Sequence, residues 1–429
     1  MKYARCPWDT RVGTRPCGAC RKENRFEDYM NYDIVIIGGG PAGLSFARSL
    51  ANSRLRVLII ERSGAAELES PMIDGRDIAL THLSKKILTG MGVLARIPAD
   101  QIAPIRQAKV INGNSSYCLD IDSKRENVEA LGYLVPNYLI RQALYAEVAK
   151  VGNVKLLTDT AVSDVRIEQQ QATVFLSNGD SVAASLVVAA DSRFSETRRK
   201  VGIAASMQDF GRVAIVARMT HEQPHEQIAY ECFHYGRTLA VLPLNGNLSS
   251  TVVTVSADVA GRIQSLSDEA YAAQVQARFN NRLGEMRLVG ERHAYPLVAV
   301  HADKFVKPRY ALIGDAAVGM HPVTAHGFNL GLRGQDTLFR EVMAAQLQGR
   351  DIGAPAVLEN YQRKHMRVTW PLYTGTNEIV SLYTNDSLPA KILRGLVLRV
   401  SDHCPPVKQM ITRKLTELGG REEPGLPFL

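Results

Sequence analysis

The chain has 429 residues, 45% of them apolar and 22% charged, with a formal net charge of +8. That composition describes an ordinary globular protein with room for a sizeable core and two or three structural regions. There is no apolar run long enough to suggest a transmembrane helix and no apolar stretch of a secretory leader near the start, and six scattered cysteines do not read as a disulfide framework, so the expected location is the cytoplasm.

Residues 1–29 are basic, polar and aperiodic, and read as a disordered arm or a start-site artefact. Cys17 and Cys20 make a CxxC there, but the fourth ligand of a structural zinc is missing from the segment, and no metal site is expected. From Asn31 the chain reads as strand, glycine turn, helix and strand. Asp33 to Ile37 is a buried strand, Gly38-Gly39-Gly40-Pro41-Ala42-Gly43 is the turn, Leu44 to Leu50 is a helix, and the apolar run Val57 to Ile60 ends on Glu61 and Arg62. This is the pattern of a dinucleotide-binding βαβ unit. Gly38 permits the tight turn, Gly40 lets a pyrophosphate approach the backbone, Gly43 lets helix and strand pack, and Glu61 accepts hydrogen bonds from a ribose.

A strand-rich piece from Ala108 to Asp122 and a helix from about Asn137 to Val151 follow, then short strands around a hairpin at Asn178-Gly179-Asp180 and an apolar strand ending on Asp191. Between Asp209 and Ser256, alternating β-branched runs separated by turn residues predict an antiparallel sheet inserted into the first domain. The nucleotide fold resumes at Arg309 to Asp315, and a long helical region is expected from Gly327 onward. The expected class is α/β, in the sense of an α+β composite. A Rossmann-like domain (30–105, 135–207 and 299–345) carries an inserted antiparallel-sheet substrate domain (106–134 and 208–298) and a helical C-terminus (346–429).

Three motifs combine: Gly38 to Gly43 with Glu61; Ala190-Asp191-Ser192-Arg193-Phe194-Ser195 with Arg198; and the run from Gly314-Asp315 through His321-Pro322 to His326-Gly327-Phe328-Asn329. Together they resemble the FAD-dependent aromatic monooxygenases. With Arg76-Asp77-Ile78-Ala79-Leu80 and Arg141 upstream, the spacing is most similar to the ubiquinone-biosynthesis hydroxylases, over about Met30 to Leu418. The resemblance implies FAD as cofactor, held by Gly38, Gly40, Pro41, Ala42, Gly43, Glu61, Arg62, Arg76, Arg141, Asp191, Gly314, Asp315, Gly327, Phe328 and Asn329. Arg141 would meet the pyrophosphate, Arg76 would lie near the ring, and Asp315 would hold ribityl or ribose hydroxyls. The helix start at Gly327 to Asn329 would favour negative charge on the reduced ring. Pro322, His321 and His326 would form the flavin-face loop where oxygen chemistry occurs. Three positions depart from the family pattern: Val318 stands where His is common, Ala325-His326-Gly327 replaces Gly-Gln-Gly, and Ser192 replaces a Gly, which puts the cofactor role of Asp191 in question.

A second dinucleotide fingerprint is absent from the sequence, so NAD(P)H is expected to bind transiently. The implied reaction uses NAD(P)H and O2 to hydroxylate a polyprenylated phenol or quinol, with 5-demethoxyubiquinol as the leading substrate. Two alternatives remain open, a flavin-dependent reductase of isoprenoid double bonds and a non-catalytic flavin-retaining scaffold in a membrane-associated complex. Residues 388–416 hold six Lys/Arg against the single Asp402, with Leu388, Ile392, Leu393, Leu396 and Val400 at helical spacing. Such basic amphipathic segments suit the inner face of a membrane or a lipid tail, and a packed core helix equally. Other ubiquinone-biosynthesis proteins are the implied protein partners. Nucleic acid is not expected, because no recognition element accompanies the charge.

Overall fold

The computed structural model describes residues 31–112, 118–234, 237–321 and 326–384, together with Thr412, Arg413, Thr416 and Glu417. The strand Asn31–Ile37 lies within the first sheet because both its faces are apolar: Ile34, Val35 and Ile36 have no exposure. A strand buried on both sides belongs in a parallel sheet covered by helices. It pairs in parallel with Val57–Ile60 on one side and Ser181–Ala189 on the other, and Val154–Leu157 and Tyr310–Leu312 extend the sheet in the same sense. Strand order therefore reverses at Asn31–Ile37. Such a reversal opens a crevice at the carboxyl end of the strand, where doubly wound sheets bind nucleotides. The helices Pro41–Ser49, Asn137–Val148 and His326–Leu347 pack around it. The expected hairpin joins Ala172–Leu176 to Ser181–Ala189, with Gly179 at φ +90°.

The second sheet is built on Ala205–His221, Ile228–His234, Arg237–Pro243, Leu248–Ser256 and Met286–Ala302, all antiparallel to their neighbours among these five. Gln107–Asn112 and Cys118–Asp122 extend one edge, the former parallel to Ile228–His234, and Val318–Gly319 closes the other. Alternation sorts the side chains. Ile215, Ala217, Met219, Leu239 and Val253 face the helices Ala257–Gln264 and Asp268–Arg278, while the opposite face looks toward the first domain.

Several expectations need correction. The boundaries expected near 208 and 298 fall inside Ala205–His221 and Met286–Ala302, two 17-residue strands whose mutual pairing runs from Ala205↔Ala302 to His221↔Met286. Composition does not change along a strand that serves both domains, so no boundary signal exists there. Residues 106–134 also divide. Gln107–Asn112 and Cys118–Asp122 join the large sheet, whereas Gly132–Pro136 pairs with Asp77–Leu80 and Ala103–Ile105 in a separate three-stranded sheet. The two helices under the large sheet were not expected, although Ser267 caps the second by accepting the Ala270 N–H at 3.2 Å. The helical region after Gly327 breaks between Leu347 and Pro355, where Gly349 takes φ +64°, and resumes as Pro355–Thr384. The basic segment 388–416 lies almost wholly outside the described residues, as do residues 1–29 with Cys17 and Cys20.

Candidate active site

The glycine turn divides its requirements among its members. Gly38 takes φ +109°, and a Cβ there would stand 2.5 Å from the Ala190 carbonyl oxygen. A Cβ on Gly43 would stand 2.0 Å from the Gly38 carbonyl, so helix and strand pack only without it. Gly40 differs: its φ is −75°, and an added Cβ would meet no protein atom within 4 Å. Neither strain nor protein packing calls for glycine at that position, so the open space in front of it fits a ligand that approaches the backbone. Gly40 also caps the helix Pro41–Ser49 with no side-chain hydrogen bond, leaving the first helical N–H groups for an anion. Glu61 folds back over the turn, its Oε2 accepting the Gly39 N–H at 2.5 Å and its Oε1 the Ser63 N–H at 2.9 Å. Arg62 stands exposed beside it. These residues fit the pyrophosphate and ribose of FAD.

The third motif meets the first directly. A Cβ on Gly314, whose φ is +59°, would stand 2.6 Å from Cβ of Ala42. Asp315 follows on a short 3-10 turn and is paired with Arg193 at 3.0 Å; Arg193 also donates to the Val298 carbonyl at 2.8 Å. Buried Arg198 donates to the carbonyls of Ala316 (2.9 Å) and Arg193 (3.2 Å). The second motif thus clamps the third in place. Here the expectation for Asp191 is corrected. Its carboxylate accepts from Ser195 Oγ (2.5 Å), Thr197 Oγ1 (2.9 Å) and the Thr197 N–H (3.1 Å), so it caps its own turn and is not free to hold the cofactor. Ser192 takes φ +83°, which explains why glycine suits that place.

Asn329 also takes a structural part. Its Nδ2 donates to the Ala79 carbonyl at 2.9 Å and its Oδ1 accepts the Thr81 N–H at 3.1 Å, so the helix His326–Leu347 is tied to the strand Asp77–Leu80. Gly327 and Phe328 lie in the first turn of that helix, with Phe328 partly packed on the core. His321 and His326 are both buried. His321 meets the Phe210 ring edge-on at 4.8 Å, and burial first, then the Arg193 and Arg212 charges, push its pKa down to about 4; it is neutral at pH 7. Pro322 lies outside the described residues.

Arg76 bonds the Asp74 carboxylate through Nε (2.9 Å) and Nη2 (2.6 Å) and lies over the Tyr295 ring, 5.3 Å from its centre. Burial alone would raise the Asp74 carboxyl, but the Arg76 charge and the bonds from Arg76 and Asn137 outweigh it and hold it low. Tyr295 Oη donates to the Asp74 carbonyl at 2.5 Å. One turn on, Asp77 has no exposed side-chain surface and is paired with Arg218 of the large sheet at 2.6 Å. Segment 74–77 therefore clasps the inner face of that sheet. Asp77 and Arg218, 141 residues apart, carried no pairing signal in the sequence. Arg141 sits partly buried on the helix Asn137–Val148 with no hydrogen-bond or ion-pair partner among the described residues.

The strand-order reversal opens its crevice beside the glycine turn, as in a dinucleotide-binding domain, and the second sheet is clasped to that domain through Asp77 and Arg218. Residues 31–376 match the family model described as "FAD binding domain", and the chain belongs to that family. Within it, the chain belongs with the FAD-dependent hydroxylases of ubiquinone biosynthesis and is an aromatic monooxygenase. It is 50% identical over 391 residues to the ubiquinone hydroxylase UbiM of Neisseria meningitidis, covering 90% of this chain and 85% of the relative. It is 33% identical over 381 residues to the ubiquinone hydroxylase UbiL of Rhodospirillum rubrum (89% and 88% covered), and 26% identical over 378 residues to the 3-demethoxyubiquinol 3-hydroxylase of Escherichia coli (88% and 96%). In fold it resembles the p-nitrophenol 4-monooxygenase PnpA of Pseudomonas putida, with a TM-score of 0.71 at 19% identity, covering 90% of this chain and 98% of that one.

Proposed function

We propose that this chain uses NAD(P)H and O2 to hydroxylate the ring of a polyprenylated phenol or quinol, with 5-demethoxyubiquinol as the substrate. The observation that carries this reading is the inner face of the large sheet. Ala240, Val252 and Val216 lie side by side in one row across it, an apolar floor turned toward the domain that holds the flavin turn. The names borne by the Neisseria and Escherichia relatives support a ubiquinol precursor as the ring placed on that floor.

Bound FAD supplies the redox chemistry and the activation of O2. The chain supplies the rest. Gly40 and the helix end behind it take the pyrophosphate, and Glu61 takes the ribose. Arg193 holds the Asp315 carboxylate where it accepts from ribityl hydroxyls, and the helix start at Gly327 to Asn329 favours negative charge on the ring side. His321, neutral at pH 7 and packed edge-on against Phe210, brings no charge to its part of the site. Excluding water and fixing the ring carbon leave few dedicated acid–base groups to supply.

No helix among the described residues is long and apolar enough to cross a membrane. Peripheral attachment at the inner membrane face through the basic segment 388–416, beside other ubiquinone-biosynthesis proteins, is the arrangement we favour. Removing residues from Leu388 onward should abolish binding to anionic liposomes; retained binding rejects that attachment.

The deciding experiment incubates FAD-loaded protein with NAD(P)H, 18O2 and a short-tailed demethoxyquinol. One labelled oxygen in the product is expected. A product that gains only hydrogen would favour a reductase of isoprenoid double bonds, peroxide formed without labelled product would point to a wrong substrate, and no consumption of reductant at all would favour the scaffold.

A further inference from the structure

The inner face of the large sheet carries one acidic side chain that the reaction, as described so far, does not use. Glu231 lies on the strand Ile228–His234. Its neighbours Tyr230 and Cys232 turn to the opposite face, against Phe279 and the rest of the helix-covered core. Alternation therefore turns Glu231 inward, toward the first domain. Its row is apolar: Val110 stands beside it on one side, and Ala240, Val252 and Val216 follow on the other, a span of about 14 Å at ordinary strand spacing. The row ends at His293, whose ring lies 2.5 Å from where a Cβ of Gly75 would be, so the segment 74–77 crosses the far end of the floor. On the near edge Leu382, from the helix Pro355–Thr384, packs with Phe233, Leu119 and Val110. Glu231 has no ion-pair or hydrogen-bond partner among the described residues.

A carboxyl group placed this way is costly. It keeps some access to the space before the sheet, yet protein surrounds it closely enough that burial alone pushes its pKa up to about 8. No described residue compensates that cost, and a strand favours a β-branched residue at such a place. A ligand that hydrogen-bonds the group does compensate it. The neighbouring surface of small and branched apolar side chains is suited to an aromatic ring, and the acid at its edge to that ring's hydroxyl.

We infer that Glu231 is the substrate-recognition residue of this site, accepting a hydrogen bond from a phenolic hydroxyl of the quinol while the ring lies over Ala240 and Val252. This rests on the proposed quinol reading. The contact orients the ring, choosing which carbon faces the flavin. Where the carboxyl is ionised, above about pH 8 in the absence of ligand, it also draws the hydroxyl proton toward itself, which raises electron density at the ring carbons ortho and para to that hydroxyl, where an electrophilic oxygen adds.

The test uses FAD-loaded wild type, Glu231→Ala and Glu231→Gln, with a demethoxyquinol bearing one isoprene unit and its di-O-methyl ether, which lacks both hydroxyl donors. Affinity is read from the perturbed flavin absorbance under anaerobic conditions, and coupling from product against peroxide. Glu231→Ala should weaken quinol binding at least tenfold and divert reductant to peroxide, with Glu231→Gln partly restoring both. The ether should bind all three proteins equally. FAD content should be unchanged and the melting temperature no lower, because an unpartnered buried acid has been removed. Equal quinol affinity in wild type and Glu231→Ala, or equal losses for quinol and ether, overturns the assignment of Glu231. Failure of wild type itself to bind or hydroxylate the quinol overturns the substrate reading, and this inference with it.

Discussion

At Gly40 and Gly43, two identical residues three positions apart answer to different partners. The Gly43 position is closed by the chain's own Gly38 carbonyl, whereas the Gly40 position is open. Gly43→Ala should destabilise even the FAD-free protein by roughly 3 kcal/mol or more, since backbone rather than a flexible side chain must move. Gly40→Ala should leave the melting temperature of the FAD-free protein within a degree or two and weaken FAD retention instead. Thermal melts with and without FAD, together with flavin titration, check both. Equal stability losses in the two variants would remove the argument that Gly40 faces the cofactor. Asp191 teaches the complementary lesson: an acid at the end of a strand looks like a ligand-binding group until Ser195 and Thr197 are seen to occupy its oxygens.

Among elements, the clasp between the strand Asp77–Leu80 and the large sheet decides how the two halves of the site face each other. Arg218 and Asp77 form its ion pair, and burial leaves the Asp77 carboxyl raised even with that partner, because desolvation exceeds the stabilisation by Arg218 and Ser250. Arg218→Ala strands a buried carboxylate and should cost about 3 to 5 kcal/mol. The pair Asp77→Asn with Arg218→Met should cost markedly less, as both charges leave together. A chemical-denaturation cycle measures the difference, and an Arg218→Ala cost below 1 kcal/mol would show that water reaches the pair.

For the whole molecule, acid sensitivity follows from buried imidazoles. Burial holds His321 at about 4 and, against Tyr361, Phe305 and Gly334, His365 at about 3, both below the usual value near 6.5. The unfolded chain thus takes up protons that the native state refuses, and stability falls as pH drops from about 6.5 toward 3. Glu147 adds a lower window. Burial would raise its carboxyl, but bonds from Arg96 and Lys150 hold it near 2, so its contribution is present above about 4.5 and is lost below. Denaturation midpoints at pH 7, 5.5 and 4 should decline steadily. His365→Leu should flatten the decline between 6.5 and 4, because it removes a group whose Nδ1 has no hydrogen-bond partner among the described residues. An unchanged slope in that variant would assign the acid sensitivity elsewhere.

Local chemistry made the dinucleotide-binding turn legible in the sequence itself, and the resemblance carried by the three motifs supplied FAD and the class of reaction. A glycine turn must follow its strand and precede its helix within a few residues, and the acid must end the next strand, so Gly38 to Gly43 and Glu61 are legible in order along the chain. The same holds for the inserted sheet, whose alternation is local. Tertiary structure alone decided what depends on meetings between distant segments: Arg193 with Asp315 across 122 residues, Asn329 with Ala79 across 250, and Arg218 with Asp77 across 141. It also decided which way Glu231 faces. Alternation says that neighbours on a strand point apart, but only the packing of Tyr230 and Cys232 against their helices says which side is the helix-covered core and which side faces the first domain.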